Sequence, residues 1–144
     1  MQKILHSLEE LTEEANTFIS RLTPQNTATL VTLSGELGAG KTAFTQALAR
    51  ALGVTEHVTS PTFVLEKIYE LPEGQKFKHL VHIDAYRLEG GSSLAPLGFD
   101  GIIKDPGNLV VLEWPERVQD ILPTPTHTVT LEVLPNNSRS ITYA

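Results

Sequence analysis

Residues 35–44 read GELGAGKTAF, with three glycines, a lysine and a threonine in ten positions. Gly35, Gly40, Lys41 and Thr42 satisfy G-x-x-x-x-G-K-[ST], the pattern of a loop whose backbone N–H groups wrap a polyphosphate. Glycines at this spacing let the main chain take positive φ and approach phosphate oxygens that a Cβ would keep away. Lys41 can then reach the terminal phosphates, and the Thr42 hydroxyl can ligate Mg²⁺. At ordinary residue usage a chain of this length matches the pattern by chance about once in a few hundred cases, which disfavours a plain glycine turn. The expected phosphate-binding set is Gly35, Glu36, Leu37, Gly38, Ala39, Gly40, Lys41, Thr42 and Ala43.

The flanks agree with the loop. Residues 28–34, ATLVTLS, are β-branched and apolar, as a buried strand requires. Downstream, Phe44, Ala47, Leu48, Ala51 and Leu52 recur at helical spacing, and Gly53 stands where a helix stops. Strand, glycine loop and helix in that order place a helix N-terminus, with its free N–H groups and dipole, at the anion site.

Composition narrows the partners. A length of 144 residues suits one domain with one core, read here as a single phosphate-loop domain spanning 1–144. The formal net charge is −6, and the 11 lysines and arginines are scattered, so the chain is poorly suited to grip nucleic acid alone. No stable DNA binding is expected, and RNA would reach it through a partner. With no cysteine, a disulfide framework and a thiolate metal site are both excluded. The N-terminal stretch MQKILHSLEELTEEAN turns acidic where a signal peptide needs an apolar run, and no segment has the length of a membrane span. These features read as cytoplasmic, with Asn136-Asn137-Ser138 a polar turn and not a glycosylation site.

Further along, Ser7 and Glu10 form a capping-box pattern ahead of Leu8, Leu11, Ala15, Phe18, Ile19 and Leu22, which predicts a first helix. Residues 57–71 predict a strand, with Phe63, Leu65, Tyr69 and Leu71 on one face. Pro72 to Gln75 turn into a second strand, Phe77 to Asp84, giving a hairpin inserted between the early and late parts of the sheet. Residues 90–101 predict a loop with at most one short helix. Leu109 to Leu112 reads as a parallel strand buried on both faces, followed by a short helix from Pro115 to Leu122. Thr128 to Leu134 and Arg139 to Tyr143 predict two strands across the turn at 135–138. The fold class is α/β: a three-layer phosphate-loop fold with a mixed, mostly parallel central sheet.

A bound nucleotide also needs oxygen ligands for its metal and a group to aim water. Asp84 in HLVHIDAYR and Glu113 in NLVVLEWPE each end an apolar strand, at the edge where open α/β sheets bind ligands. His82 shares a strand face with Asp84, and His79 is close in sequence. Three ligands on one strand cannot surround an ion, so a hydrogen-bonded strand-end histidine is the expectation. Trp114, the sole tryptophan, could be a core anchor, a lid or a partner contact. Ser60-Pro61-Thr62 falls where many phosphate-loop enzymes keep a segment responsive to the γ-phosphate; a serine-proline turn that merely starts a strand is an equal alternative.

GELGAGKTAF, SPTFVL, HIDAYRL and LEWPER, in this order and spacing, resemble the TsaE (YjeE) family of small bacterial phosphate-loop ATPases, over the chain from the first helix to residue 122. The resemblance implies an ATPase needed to make threonylcarbamoyladenosine at position 37 of tRNAs that read codons starting with A. It implies action with TsaB and TsaD, so that tRNA is met indirectly, through the complex. It further implies ATP and Mg²⁺ as ligands, Gly38 to Thr42 on the phosphates, and Thr42 and Glu113 on the metal. Asp84 would assist hydrolysis with Lys41 and Glu113, Thr62 would lie in a switch-like segment, and Trp114 would sit at the rim. Ala43 stands where the family commonly has a second threonine. Two other readings compete: a small-molecule kinase, disfavoured because Arg50, Arg87, Arg117 and Arg139 are far apart in sequence, and a module that binds nucleotide without cleaving it.

Overall fold

The computed structural model describes residues 1–36, 38–56 and 66–144. Along the chain come β1 (Gln2–Leu5), α1 (Leu8–Arg21), β2 (Thr29–Ser34), α2 (Lys41–Ala51), β3 (Glu66–Glu70), β4 (His79–Asp84), α3 (Phe99–Lys104), β5 (Asn108–Glu113), β6 (His127–Val133) and β7 (Arg139–Tyr143). Turns of 3₁₀ helix cover Gly91–Leu97 and Pro115–Arg117. Among the described residues the strands form one seven-stranded sheet in the order β1-β7-β6-β2-β5-β4-β3.

β2, the strand that feeds the glycine loop, lies between two parallel neighbours, β5 and β6, and β4 extends the parallel set beyond β5. Central strands covered on both faces have no wet side. β2 is therefore buried from Thr29 to Leu33, and β5 at all six positions. Antiparallel pairs β1–β7, β6–β7 and β3–β4 complete the two flanks.

On one face, α1 and α2 cover Val31, Leu33, Leu80, Leu109, Val111 and Leu131. On the other, Leu94 and Phe99 pack against Leu30, Val81, Ile83, Val110 and Leu112. The docking of α2 is hydrophobic in origin: Phe44 and Leu48 are fully buried, and such side chains contribute about 1.5–3 kcal/mol each. Ser7 Oγ accepts from the Glu10 amide at 3.1 Å, the expected cap of α1. The far end of α1 is closed by Lys76 from the β3–β4 loop, whose Nζ donates to the carbonyls of Ile19, Ser20 and Leu22.

Four expectations change. The β3–β4 hairpin is not an insert: among the described residues β4 belongs to the parallel centre, and of the two strands β3 alone lies at a sheet edge. Residues 90–101 hold more than one short helix, because the left-handed Gly98 (φ 75°) joins the 3₁₀ segment to α3, which runs on to Lys104. The helix expected over Pro115 to Leu122 is a single 3₁₀ turn, Pro115–Arg117, since Val118 leaves helical φ as it turns into the core. β1 was not expected at all; four residues are too few to show a period, and pairing with β7 defines it. The part of the predicted strand at 57–65 lies outside the described residues.

A polar clasp ties α1 to the β1–β7 edge. The buried Glu14 carboxylate accepts from Lys3 Nζ at 3.0 Å and from the Tyr143 hydroxyl at 2.6 Å. Burial, and then the adjacent carboxylate, push the Tyr143 phenol above its ordinary pKa. A raised folded-state value means that the neutral phenol stabilises the fold below about pH 10, and that this contribution is lost as pH climbs further. Tyr143→Phe should cost about 1 kcal/mol at pH 8, discounted for partial exposure, and flatten the alkaline fall in the urea midpoint. An alkaline fall as steep in the variant as in the parent protein would show that another group is responsible.

Candidate functional site

The loop after β2 is shaped by two of its glycines. Gly35 has φ 148°, and a Cβ there would stand 2.5 Å from the Leu131 carbonyl oxygen, so only glycine fits against β6. Gly40 caps α2 at φ 105° with no side-chain hydrogen bond to the first turn. The amides at the start of this eleven-residue helix are therefore left for an anion. Within the loop, Ala39 N donates to Glu36 O at 3.1 Å, and Phe44 N to Gly40 O at 2.8 Å begins the helical ladder.

Lys41, at the first helical position, is 5% exposed. Its Nζ donates to the Gly35 carbonyl and lies 3.6 Å from the centre of the Trp114 ring. Burial lowers its pKa, while Glu113, Asp84 and Glu116 pull it back up. The ammonium thus sits beside the cradle on a carbonyl and an aromatic face, both partners that a phosphate dianion outcompetes.

Trp114 is held in an uncommon way. Its backbone is left-handed (φ 61°, ψ 53°), which costs a bulky residue about 1–3 kcal/mol and persists only where the surroundings enforce it. Its amide donates to the Leu33 carbonyl at 3.3 Å, and its ring lies 4.9 Å from that of Tyr86, tilted by 52°. The Arg117 guanidinium lies 5.5 Å from the Tyr86 ring centre, so Lys41, Trp114, Tyr86 and Arg117 form one row of alternating cation and aromatic contacts. The Trp114 ring is half-buried, packed against the core on one side and lining the cleft on the other.

The two acids meet as expected. Asp84 and Glu113 are register partners at the ends of β4 and β5, at 8% and 2% exposure. Asp84 Oδ1 accepts from Tyr86 N at 3.0 Å. Glu113 Oε2 and His82 Nε2 share a hydrogen bond of 2.5 Å, so the histidine is a hydrogen-bonded strand residue. Among the described residues no cluster of three His, Cys, Asp or Glu side chains could hold a metal by itself.

Gly38, Gly40, Lys41, Thr42, Ala43, Asp84, Glu113 and Trp114 line one cleft of about 330 Å³ at the N-terminus of α2. Tyr86 and Arg87 line it too, though sequence reasoning did not single them out; their position directly after Asp84 in DAYR was the available signal. Gly35, Glu36 and Ala39 line an adjoining groove with Thr130 to Val133 of β6, and the Gly35 carbonyl accepts from Lys41. Leu37 and Thr62 lie outside the described residues. Beyond the loop is a second groove of about 240 Å³, sharing Gly40 and Ala43 as a wall. Leu5, Leu8, Leu11 and Leu131 make it apolar, with Ser7, Asn137 and Arg139 as polar groups. No local pattern announces it, because both chain ends build it.

The residues of the main cleft suit a magnesium–nucleotide complex: free helix amides, a retractable cation, a hydroxyl on the first turn and a buried, pre-bonded carboxylate. Comparison with known proteins gives a consistent picture. A family model described as "Threonylcarbamoyl adenosine biosynthesis protein TsaE" matches residues 5–141. The tRNA threonylcarbamoyladenosine biosynthesis protein TsaE of Rickettsia prowazekii (strain Madrid E) is 37% identical over 136 residues, 94% of this chain and 88% of the relative. That of Treponema pallidum (strain Nichols) is 39% identical over 128 residues, 89% of each chain. The crystal structure of Bacillus subtilis YdiB superposes with a TM-score of 0.78 at 27% identity, covering 99% of this chain and 83% of that one.

Proposed function

Because the chain belongs to the TsaE family, and so to tRNA threonylcarbamoyladenosine biosynthesis, we propose that it binds and hydrolyses Mg·ATP at the α2 cleft as a partner-stimulated ATPase. The observation that carries the reading is the convergence of Lys41, Thr42, Asp84 and Glu113, from three separate segments, on one cleft at a helix N-terminus.

In this reading the amides from Gly38 to Thr42 hold the phosphates and Lys41 leaves Trp114 to meet the terminal one. Thr42 and Glu113 would hold magnesium, which when bound neutralises the developing phosphate charge. Asp84, which accepts from the Tyr86 amide and is adjacent to Glu113, would assist hydrolysis by orienting the attacking water. The base is assigned to the groove lined by Leu5, Leu11, Leu131 and Arg139, which offers an apolar floor and a polar edge beside the same loop.

Phosphoryl transfer depends on positioning and charge neutralisation, so an open cleft hydrolyses slowly until a partner completes it. TsaB and TsaD are the proposed partners, and tRNA is reached through them. Turnover alone should be low and should rise about tenfold or more when both are added. Omitting this chain from a reconstituted tRNA modification reaction should abolish sustained threonylcarbamoyladenosine formation. Fast turnover indifferent to TsaB and TsaD would contradict the helper role.

Trp114 supplies a direct binding test. Mg·ADP and Mg·ATP should change its fluorescence, because Lys41 moves from 3.6 Å over the indole to the phosphates. Calorimetry on the same sample should give a saturable heat. A folded protein with neither signal would end the nucleotide reading.

A further inference from the structure

Glu113 can serve as a metal ligand only if something holds its carboxylate in place, and we propose that His82 is the positioning residue that presets it for the nucleotide's magnesium. The inference rests on the nucleotide reading above and deepens it.

His82 lies in β4 on the face shared with Leu80 and Asp84, beside Val111 of β5 and Lys67 of β3, and it is fully buried. Its Nε2 is 2.5 Å from Glu113 Oε2. In the proposed arrangement the imidazole Nε2–H donates to the carboxylate. Nδ1 is buried and has no hydrogen-bond partner among the described residues. On this face the positions that precede the two strand-end acids are, apart from His82, aliphatic: Leu80, Leu109 and Val111. Packing alone would place another aliphatic residue at 82, because a buried pair with one nitrogen unsatisfied is a cost to the core.

The orientation of Glu113 offsets that cost. A glutamate has three side-chain torsions, and one short bond to Oε2 restricts them together. Oε1, for which no hydrogen bond is found among the described residues, is left as the ligand atom on the wall of the cleft. Hydrogen-bonded partners of metal-binding carboxylates act in this way, and removing one typically weakens metal affinity about 10–100-fold.

The test compares three variants: His82→Gln, whose amide reaches the place of Nε2, His82→Asn, whose amide reaches only that of Nδ1, and His82→Leu. Mn²⁺ affinity at saturating ADP is measured by electron paramagnetic resonance, beside ADP affinity in EDTA. His82→Asn and His82→Leu should weaken Mn²⁺ binding about tenfold or more, while His82→Gln should stay within about threefold of the parent protein. ADP affinity in EDTA should be unchanged throughout. Parental Mn²⁺ affinity in the Asn and Leu variants overturns the proposal, as does an equal loss in the Gln variant. If the parent protein itself binds no ADP, the nucleotide reading falls, a result distinct from parental binding with unaffected variants. Should the variants not fold, ¹⁵N-histidine spectra of the parent decide the matter. Nε2 should carry a slowly exchanging, strongly deshielded proton that moves upfield in Glu113→Gln; a bare Nε2 rejects the assignment.

Discussion

Mg·ATP affinity should fall about a hundredfold when Lys41 is replaced by alanine. Hydrogen bonds to charged groups contribute about 1.5–3 kcal/mol, and each 1.4 kcal/mol is a factor of ten in affinity. Lys41 is the cation at the N-terminus of α2, beside its neutral amides, while the other cationic side chain lining the cleft among the described residues, Arg87, comes from the turn after β4. Stability should move in the other direction or not at all. Burial depresses the Lys41 pKa, so its charged form is disfavoured by the fold at neutral pH, and deleting it removes that penalty. Calorimetry for affinity and a thermal melt for stability separate the two effects. An affinity within threefold of the parent's, about 0.7 kcal/mol, would remove the lysine from phosphate recognition. A large drop in melting temperature would mean that its bond to Gly35 is structural.

Glu113→Gln should lower turnover by about 10²–10³ while ADP binding in EDTA persists. The glutamine oxygen can still accept from His82, so the buried pair survives and the loss is one of charge at the metal. Mn²⁺ affinity in the presence of ADP should fall alongside turnover. A protein that used nucleotide only as a structural ligand would behave otherwise, with the variant still supporting tRNA modification in the reconstituted system. Modification at the parental rate by Glu113→Gln would therefore refute hydrolysis as the working step.

Much of the site was legible because its signals are local. Gly35, Gly40, Lys41 and Thr42 are bound by loop geometry within eight residues, and the flanking apolar runs could only be a strand and a helix. Asp84 and Glu113 could be read because each ends an uninterrupted apolar run, and parallel strands direct such ends to one edge of the sheet. The shared position of Arg87 and Arg117 was not legible, for the opposite reason. They are far apart in the chain, and only the parallel pairing of β4 with β5 brings the turns that follow each strand to the same rim.

What the sequence by itself determined was the glycine loop between strand and helix, the two strand-end acids, the family and the α/β layering, all of which depend on residue type and short spacing. The tertiary structure alone decided which atoms touch. It joined His82 to Glu113, laid Lys41 on Trp114, and closed a groove between Leu5 and Arg139 at opposite ends of the chain. Those contacts follow from strand register and sheet order, which are settled by the burial of whole faces and leave no short-range pattern along the chain.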